Sequence, residues 1–150
     1  MATSRTATVT WTGALADGSG TVTAGSSGLF ADLPVSWPSR TETPGGQTSP
    51  EELLAAAHAS CFAMALAGRL ARAETPPEHL HVSATVTFDK VGDAWSVTTS
   101  QLEVVANVPG IDEATFDEAA QGAKEGCPIS RALADSVEIL VSSTLERETS

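Results

Sequence analysis

Cys61 in HASCFAM and Cys127 in EGCPIS are the two cysteines of this 150-residue chain, and their surroundings offer the most specific chemistry in it. They lie 66 positions apart, so no CxxC redox or metal motif is present. Three fates are open to such a pair. Both thiols can be packing residues, since free cysteine is among the most buried side chains. They can hold zinc, with His58 three residues before Cys61 on the same helix face, but no Cys/His cluster elsewhere supplies the remaining ligands. Or they can reduce a peroxide, the thiolate of one passing through a sulfenic acid that condenses with the other. A structural disulfide fits less well with a reducing compartment.

The redox reading makes demands on the neighbours. A free thiol has a pKa of roughly 8.5 and reacts only as the thiolate. Cys61 falls about three turns into a helix, beyond the reach of the N-terminal dipole, and burial raises its pKa. A cation must therefore come from elsewhere, and Arg40, in the loop running into that helix, is the candidate. Glu51 is ten residues before Cys61, about 15 Å along an unbroken helix and about 80° around it. It cannot touch Cys61 of its own helix. It either acts through Arg40 or reaches the site of a partner subunit. As a carboxylate in a first helical turn it also has a purely structural use. Cys127 precedes Pro128 at a helix start, where backbone N–H groups favour a thiolate, so it suits a resolving or leaving-group sulfur. His58 on an apolar helix reads as a hydrogen-bonded core residue. His79 and His81 flank a strand start and face solvent. Asp112, Glu113, Asp117 and Glu118 read as a wet helix face. Trp37 and Phe62 could wall an apolar pocket.

The elements that must position these residues are legible. Thr6–Thr12 and Ser19–Ala24 alternate as half-buried strands. Leu29–Trp37 contains a short third strand broken by Pro34, and Pro38–Ser49 reads as a loop. Ser49-Pro50-Glu51-Glu52 starts a helix, with Ser49 as cap and Glu52 completing a capping box. It runs to about Ala73 and ends at Glu74-Thr75-Pro76-Pro77. Its middle is apolar nearly all round, which predicts burial on most faces. Leu80–Lys90 and Trp95–Val108 are strands joined at Val91-Gly92-Asp93. Asp112–Lys124 and Pro128–Ala134 are helices, and Val137–Leu145 is the last strand. The order βββ–α–ββ–αα–β is α+β in a single domain spanning 1–150.

Composition narrows the function. Lys plus Arg is 8 and Asp plus Glu is 19, a formal charge of −11. The cations, from Arg5 to Arg147, form no run. This disfavours binding to nucleic acid by phosphate neutralisation and docking to anionic lipid. The longest uncharged stretch, Leu53–Gly68, is sixteen residues, short for a bilayer span. No apolar signal segment is visible, so a cytoplasmic location is expected.

Four segments together resemble the OsmC/Ohr family, the osmotically inducible and organic hydroperoxide resistance proteins. They are TSPEELLAAAHASCFAMAL (Thr48–Leu66), AKEGCPISRAL (Ala123–Leu133), VTFDKVGDAWSVT (Val86–Thr98) and VPGIDEATFDEAAQGAK (Val108–Lys124). The resemblance covers essentially the whole chain and favours the OsmC branch. It implies that Cys61 is the peroxidatic cysteine, Cys127 the resolving cysteine, Glu51 the glutamate of the family's helix start and Arg40 the catalytic arginine. It implies antiparallel sheets wrapped around two long central helices in an intertwined homodimer, with active sites at the subunit interface. The implied function is thiol-dependent reduction of organic hydroperoxides, and less efficiently of hydrogen peroxide, in defence against oxidative or osmotic stress. The implied partners are a hydroperoxide substrate and an external dithiol reductant of lipoyl type, with no metal, haem or flavin cofactor. Two other classes compete with this reading. One is a non-catalytic binding module with an apolar dimer-interface pocket for a lipid-like or aromatic ligand, the other a zinc or redox-sensing regulator.

Overall fold

The computed structural model describes residues 1–146, so Arg147 lies outside the described residues. The described residues form two compact units that divide between Leu53 and Leu54.

The first unit begins with β1 (Ala7–Thr12), β2 (Ser19–Ala24) and β3 (Leu33–Val35), an antiparallel sheet in the order β1-β2-β3. Gly20 is required by its neighbour, because a Cβ there would stand 2.6 Å from the Trp11 ring. Pro34 sits within β3, which is short and at the sheet edge, where a missing N–H is tolerated. The segment read as a loop from Pro38 contains α1 (Trp37–Thr41), a one-turn helix. Ser36 caps it by accepting from the Ser39 N–H at 3.2 Å, while the Ser39 hydroxyl accepts from the Ser36 N–H at 3.1 Å. This local exchange explains a turn too short to show any apolar periodicity.

The long helix α2 (Pro50–Arg72) starts in the first unit and continues into the second. Ser49 caps it, accepting from the Glu52 N–H at 3.1 Å. The other half of the expected capping box is replaced. The Glu52 carboxylate accepts from the Thr48 hydroxyl at 2.7 Å.

The second unit is built on β4 (His79–Val91), β5 (Ala94–Asn107) and β6 (Glu138–Leu145), in the order β4-β5-β6. β4 and β5 form an antiparallel hairpin whose two-residue turn places Gly92 at φ +62°. β6 pairs with β5 in parallel, from Thr99 opposite Glu138 to Ala106 opposite Leu145. The expected antiparallel sheet is therefore mixed. A parallel partner needs a long crossover, and α3 (Glu113–Gly126) and α4 (Pro128–Leu133) provide it.

Three stripes meet in the core of this unit. α2 contributes Phe62, Leu66 and Leu70 at four-residue spacing, β5 contributes Leu102, Val104 and Ala106 at alternate positions, and α3 contributes Phe116, Ala120 and Ala123. By length and mean hydropathy α2 could cross a membrane, yet this stripe is packed in a protein core. The expectation that α2 is buried on most faces is corrected within the single chain. The stripe from His58 to Leu70 is buried, while Ala56, Ala57 and Ser60 are exposed and Met64 is 74% exposed. Phe62 belongs to the core and not to a pocket wall.

Candidate active site

The four expected site residues come together as two pairs, one within each unit. In the first, Arg40 lies in the last turn of α1 and Glu51 in the first turn of α2. The segment between them is folded back by local bonds. The Thr48 N–H donates to the Pro34 carbonyl at 3.0 Å, and the Ser39 hydroxyl donates to the Thr48 carbonyl at 3.3 Å. This brings Glu51 onto the guanidinium. Arg40 Nε donates to both carboxylate oxygens, at 2.9 and 3.1 Å, and Nη2 reaches Oε1 at 2.8 Å. Such a fork fixes orientation as well as charge. The Glu51 side chain is 9% exposed and that of Arg40 29%. Arg40 also stands 5.9 Å from the Trp37 ring centroid. Both line an apolar cavity of about 330 Å³ with Val9, Trp11, Val35 and Leu53. Trp37 thus walls a pocket, as its type suggested.

The second pair is Cys61 and Cys127, both free thiols. Cys61 is partly exposed on α2, one position before Phe62 of the buried stripe. Cys127 extends the buried stripe of α3 and is fully buried. Pro128 lacks an N–H and disfavours helical geometry in the residue before it, so α3 stops and Cys127 turns extended, at φ −63° and ψ 123°. α4 restarts at once with Cys127 as its cap residue. Cys61 packs against the core cluster that contains Cys127, and each thiol shifts the acidity of the other.

Their acidities are driven apart. Burial raises the Cys61 pKa, and the bond to Cys127 raises it further, against smaller lowering effects of the Ile129 N–H and the Arg131 charge. Burial also works to raise Cys127, but it is outweighed by hydrogen bonds from Cys61, from the Ser130 N–H and hydroxyl, and from the Ile129 N–H, so its pKa falls.

Sequence reasoning passed over Arg131 and the two serines around His58. Arg131 lies one turn beyond Cys127 on α4, a spacing that puts both on one face and was open to notice. His58 is the hydrogen-bonded core histidine it promised to be. Its Nδ1 lies 2.6 Å from Ser100 Oγ and its Nε2 2.8 Å from Ser130 Oγ. All three residues are buried, and burial lowers the His58 pKa, so the ring is neutral. With both nitrogens engaged by serines, His58 offers no lone pair to zinc. His79 is exposed as expected and pairs with Glu146 at 2.8 Å.

Comparison with known proteins converges on one family. The model of the OsmC-like protein family matches residues 43–142. Peroxiredoxin OsmC of Escherichia coli (strain K12) is 42% identical over 123 residues, covering 82% of this chain and 85% of that protein. The crystal structure of the organic hydroperoxide resistance protein OhrB of Bacillus subtilis superposes with a TM-score of 0.69 at 25% identity, covering 94% of this chain and 98% of that one. An organic hydroperoxide resistance protein from Elizabethkingia anophelis shares the fold with a TM-score of 0.72 at 24% identity, over 97% of this chain and all of that one.

Proposed function

The chain belongs to the OsmC-like protein family, and on that premise we propose that it is a cysteine-based peroxidase reducing organic hydroperoxides and, less efficiently, hydrogen peroxide. The observation that carries this reading is that Cys61 packs against the core cluster that holds Cys127, so that two thiols 66 positions apart meet, with opposite shifts in acidity.

In the reduced pair Cys61 passes its proton to Cys127 and attacks the distal peroxide oxygen. The O–O bond breaks, Cys61 becomes a sulfenic acid, and the alkoxide takes the proton back from Cys127 to leave as an alcohol, which restores the Cys127 thiolate. Cys127, as the thiolate, then attacks the Cys61 sulfur. A disulfide forms, and the departing hydroxide is protonated to water. An external dithiol of lipoyl type restores both thiols. The partly exposed Cys61 sulfur is the one open to its attack, and Cys127, with the lowered pKa, is the better leaving group.

Arg40 is assigned the stabilisation of negative charge on the thiolate and on the departing oxygen, and Glu51 its orientation. The two-pronged ion pair and its place on the wall of an apolar cavity support these roles, as does the family resemblance. The chemistry needs no metal, haem or flavin.

We further propose that the 150 residues serve as one OsmC-like domain in a cytoplasmic, intertwined homodimer, each subunit giving one of two central helices. The exposed apolar face of α2 around Met64 supports this assembly. The decisive experiment is steady-state turnover of cumene hydroperoxide with dithiothreitol, beside the Cys61→Ser variant. Loss of turnover in that variant is expected, and wild-type rates in it overturn the reading. The rival, a binding module using the apolar cavity, predicts no turnover in the wild type and a Cys61 that resists alkylation in the folded state at neutral pH.

A further inference from the structure

We infer that the buried chain Ser100–His58–Ser130 is a clamp that holds α4, and with it Cys127, against the turn of α2 that carries Cys61, and so raises the effective concentration of one thiol at the other. The three are positioning residues, acting through the placement of two helices and not through contact with a reacting atom. The inference rests on the peroxidase reading, in which the two sulfurs must join.

Apolar packing anchors α4 poorly. Of its six residues Ser130 is the only one fully buried. Ile129 packs partly buried against the core, while Pro128, Arg131 and Ala132 are exposed. A hydroxyl is therefore what fastens this short helix to the body of its unit. Ser130 Oγ lies 2.8 Å from His58 Nε2, and among the described residues no other pair of side chains hydrogen-bonds α4 to α2. The far side of the ring is held as well. Nδ1 lies 2.6 Å from Ser100 Oγ on β5, two positions before Leu102 and on the same sheet face. In a neutral ring one nitrogen donates and the other accepts, and a hydroxyl answers either, so both tautomers close the chain.

Spacing connects the clamp to the thiols. His58 stands three residues before Cys61 on α2, and Ser130 three after Cys127, the cap residue of α4. Residues three apart on a helix are neighbours, with Cβ atoms about 5–6 Å from each other. The clamp thus joins the same two elements that the disulfide joins, one turn away from it on each. A hydrogen bond is directional, whereas the apolar contacts of Cys61 and Ile129 with the core let a short helix slide at little cost. Stability alone does not call for three polar groups here, because apolar residues of the same shape at both ends of a buried hydrogen bond serve nearly as well.

In the resolving step Cys127 displaces hydroxide from the Cys61 sulfenic acid. The S–S bond forms as the S–O bond breaks, and the hydroxide is protonated to water. The clamp takes no part in these bonds or in the proton balance. It limits how far α4 strays while both thiols are reduced, so less freedom remains to be lost when the sulfurs join. Its effect is bounded by the net contribution of one hydrogen bond, so breaking it should lower the effective concentration about three- to tenfold.

The test needs no peroxide. The reduced protein is equilibrated with mixtures of reduced and oxidised glutathione, where two protein thiols and one glutathione disulfide exchange to give the Cys61–Cys127 disulfide and two glutathione thiols. Mass analysis of acid-quenched, alkylated protein gives the equilibrium constant, which is the effective concentration. Ser130→Ala and His58→Leu should each lower it about three- to tenfold. The double variant should be no lower than the more impaired single, because both substitutions remove the same bond. Leu70→Ala, a core lesion about three turns further along α2, should loosen reduced and oxidised protein alike and leave the constant unchanged. An unchanged constant in both single variants, additive falls in the double, or an equal fall in Leu70→Ala overturns the inference. So does a wild type that forms no intrachain disulfide at any glutathione ratio. The peroxidase reading is decided separately, by turnover of cumene hydroperoxide. A wild type that forms the disulfide here and turns over no hydroperoxide keeps the clamp and overturns that reading.

Discussion

Glu51→Gln tests the arginine fork with the least change in shape. The carboxylate presents two acceptors to Arg40, which meets them with Nε at 2.9 and 3.1 Å and Nη2 at 2.8 Å. An amide has one acceptor. With its oxygen at the Oε1 position it keeps two of the three contacts, without the charge, and turns an NH2 group toward the Nε–H. A hydrogen bond to a charged group is worth roughly 1.5–3 kcal/mol and a neutral one about 0.5–1.5 kcal/mol. The loss of alignment is therefore about 1–2 kcal/mol, because Arg40 is 29% exposed and recruits water in part compensation. If Arg40 must be held in one orientation to stabilise the departing oxygen, kcat/KM for cumene hydroperoxide should fall about 5- to 30-fold. Melting should shift by only a few degrees. Arg40→Lys, which cannot fork, should cost a similar factor. The double variant should be little worse than the weaker single, a coupling of about 1–2 kcal/mol. Turnover within twofold of wild type in Glu51→Gln, or additive effects of the two substitutions, would refute the role given to the pair.

Cys127→Ala should consume one equivalent of hydroperoxide, show Cys61 as a dimedone-reactive sulfenic acid, and form no intrachain disulfide on non-reducing mass analysis. Phe62→Ala, at a fully buried position in the stripe of α2, should lower unfolding free energy by about 3–5 kcal/mol in urea titration. The thiol pair should also give stability a distinctive pH dependence. The folded Cys127 pKa lies below its unfolded value, so this group's stabilisation is lost as pH falls through the folded pKa and complete above the unfolded one. Cys61 has the opposite sign, its stabilisation present below the unfolded pKa and lost as pH rises through the raised folded value. Urea midpoints of the reduced protein should rise toward the ordinary thiol pKa and decline beyond it. A Cys61→Ala/Cys127→Ala protein should lack this feature, and an unchanged profile there would rule out the pair as its source.

Local rules made much of the fold legible. Strict alternation marked β4, whose inward residues Leu80, Val82 and Ala84 pack against the core as read, and Pro50 with two acidic residues marked the start of α2. The limits were also physical. α1 is held by a side-chain exchange between Ser36 and Ser39, which no periodicity reports. The parallel pairing of β6 with β5 is a choice of partner, and one strand's pattern does not name its neighbour. The cysteines were conspicuous as residue types and their meeting was implied by resemblance. The Ser130 hydroxyl was invisible because a serine in ISRAL looks like any other helix-start serine until His58 is seen beside it.

The different settings of the two sulfurs follow from a single backbone event. Had α3 continued through position 127, the Ile129 and Ser130 N–H groups would have been spent on intrahelical bonds. Pro128 stops the helix, and the first turn of α4 must leave N–H groups without helical partners. Those groups favour the thiolate forms, most of all at Cys127, whose pKa falls. Cys61, in the unbroken middle of α2, has no such donors on its own helix, where each N–H is bound to a carbonyl one turn back. It must borrow from α4. The partly exposed Cys61 is thus held up in pKa and the buried Cys127 down. For a peroxidase this ordering is useful, because a permanently ionised, accessible thiolate is the species most prone to over-oxidation. Replacing Pro128 with Ala should let α3 run on, withdraw these donors, and bring the Cys127 pKa up toward that of Cys61. A first thiol titration in Pro128→Ala that stays as low as in the wild type, followed by thiolate absorbance at 240 nm, would break the link between the helix break and the division of roles.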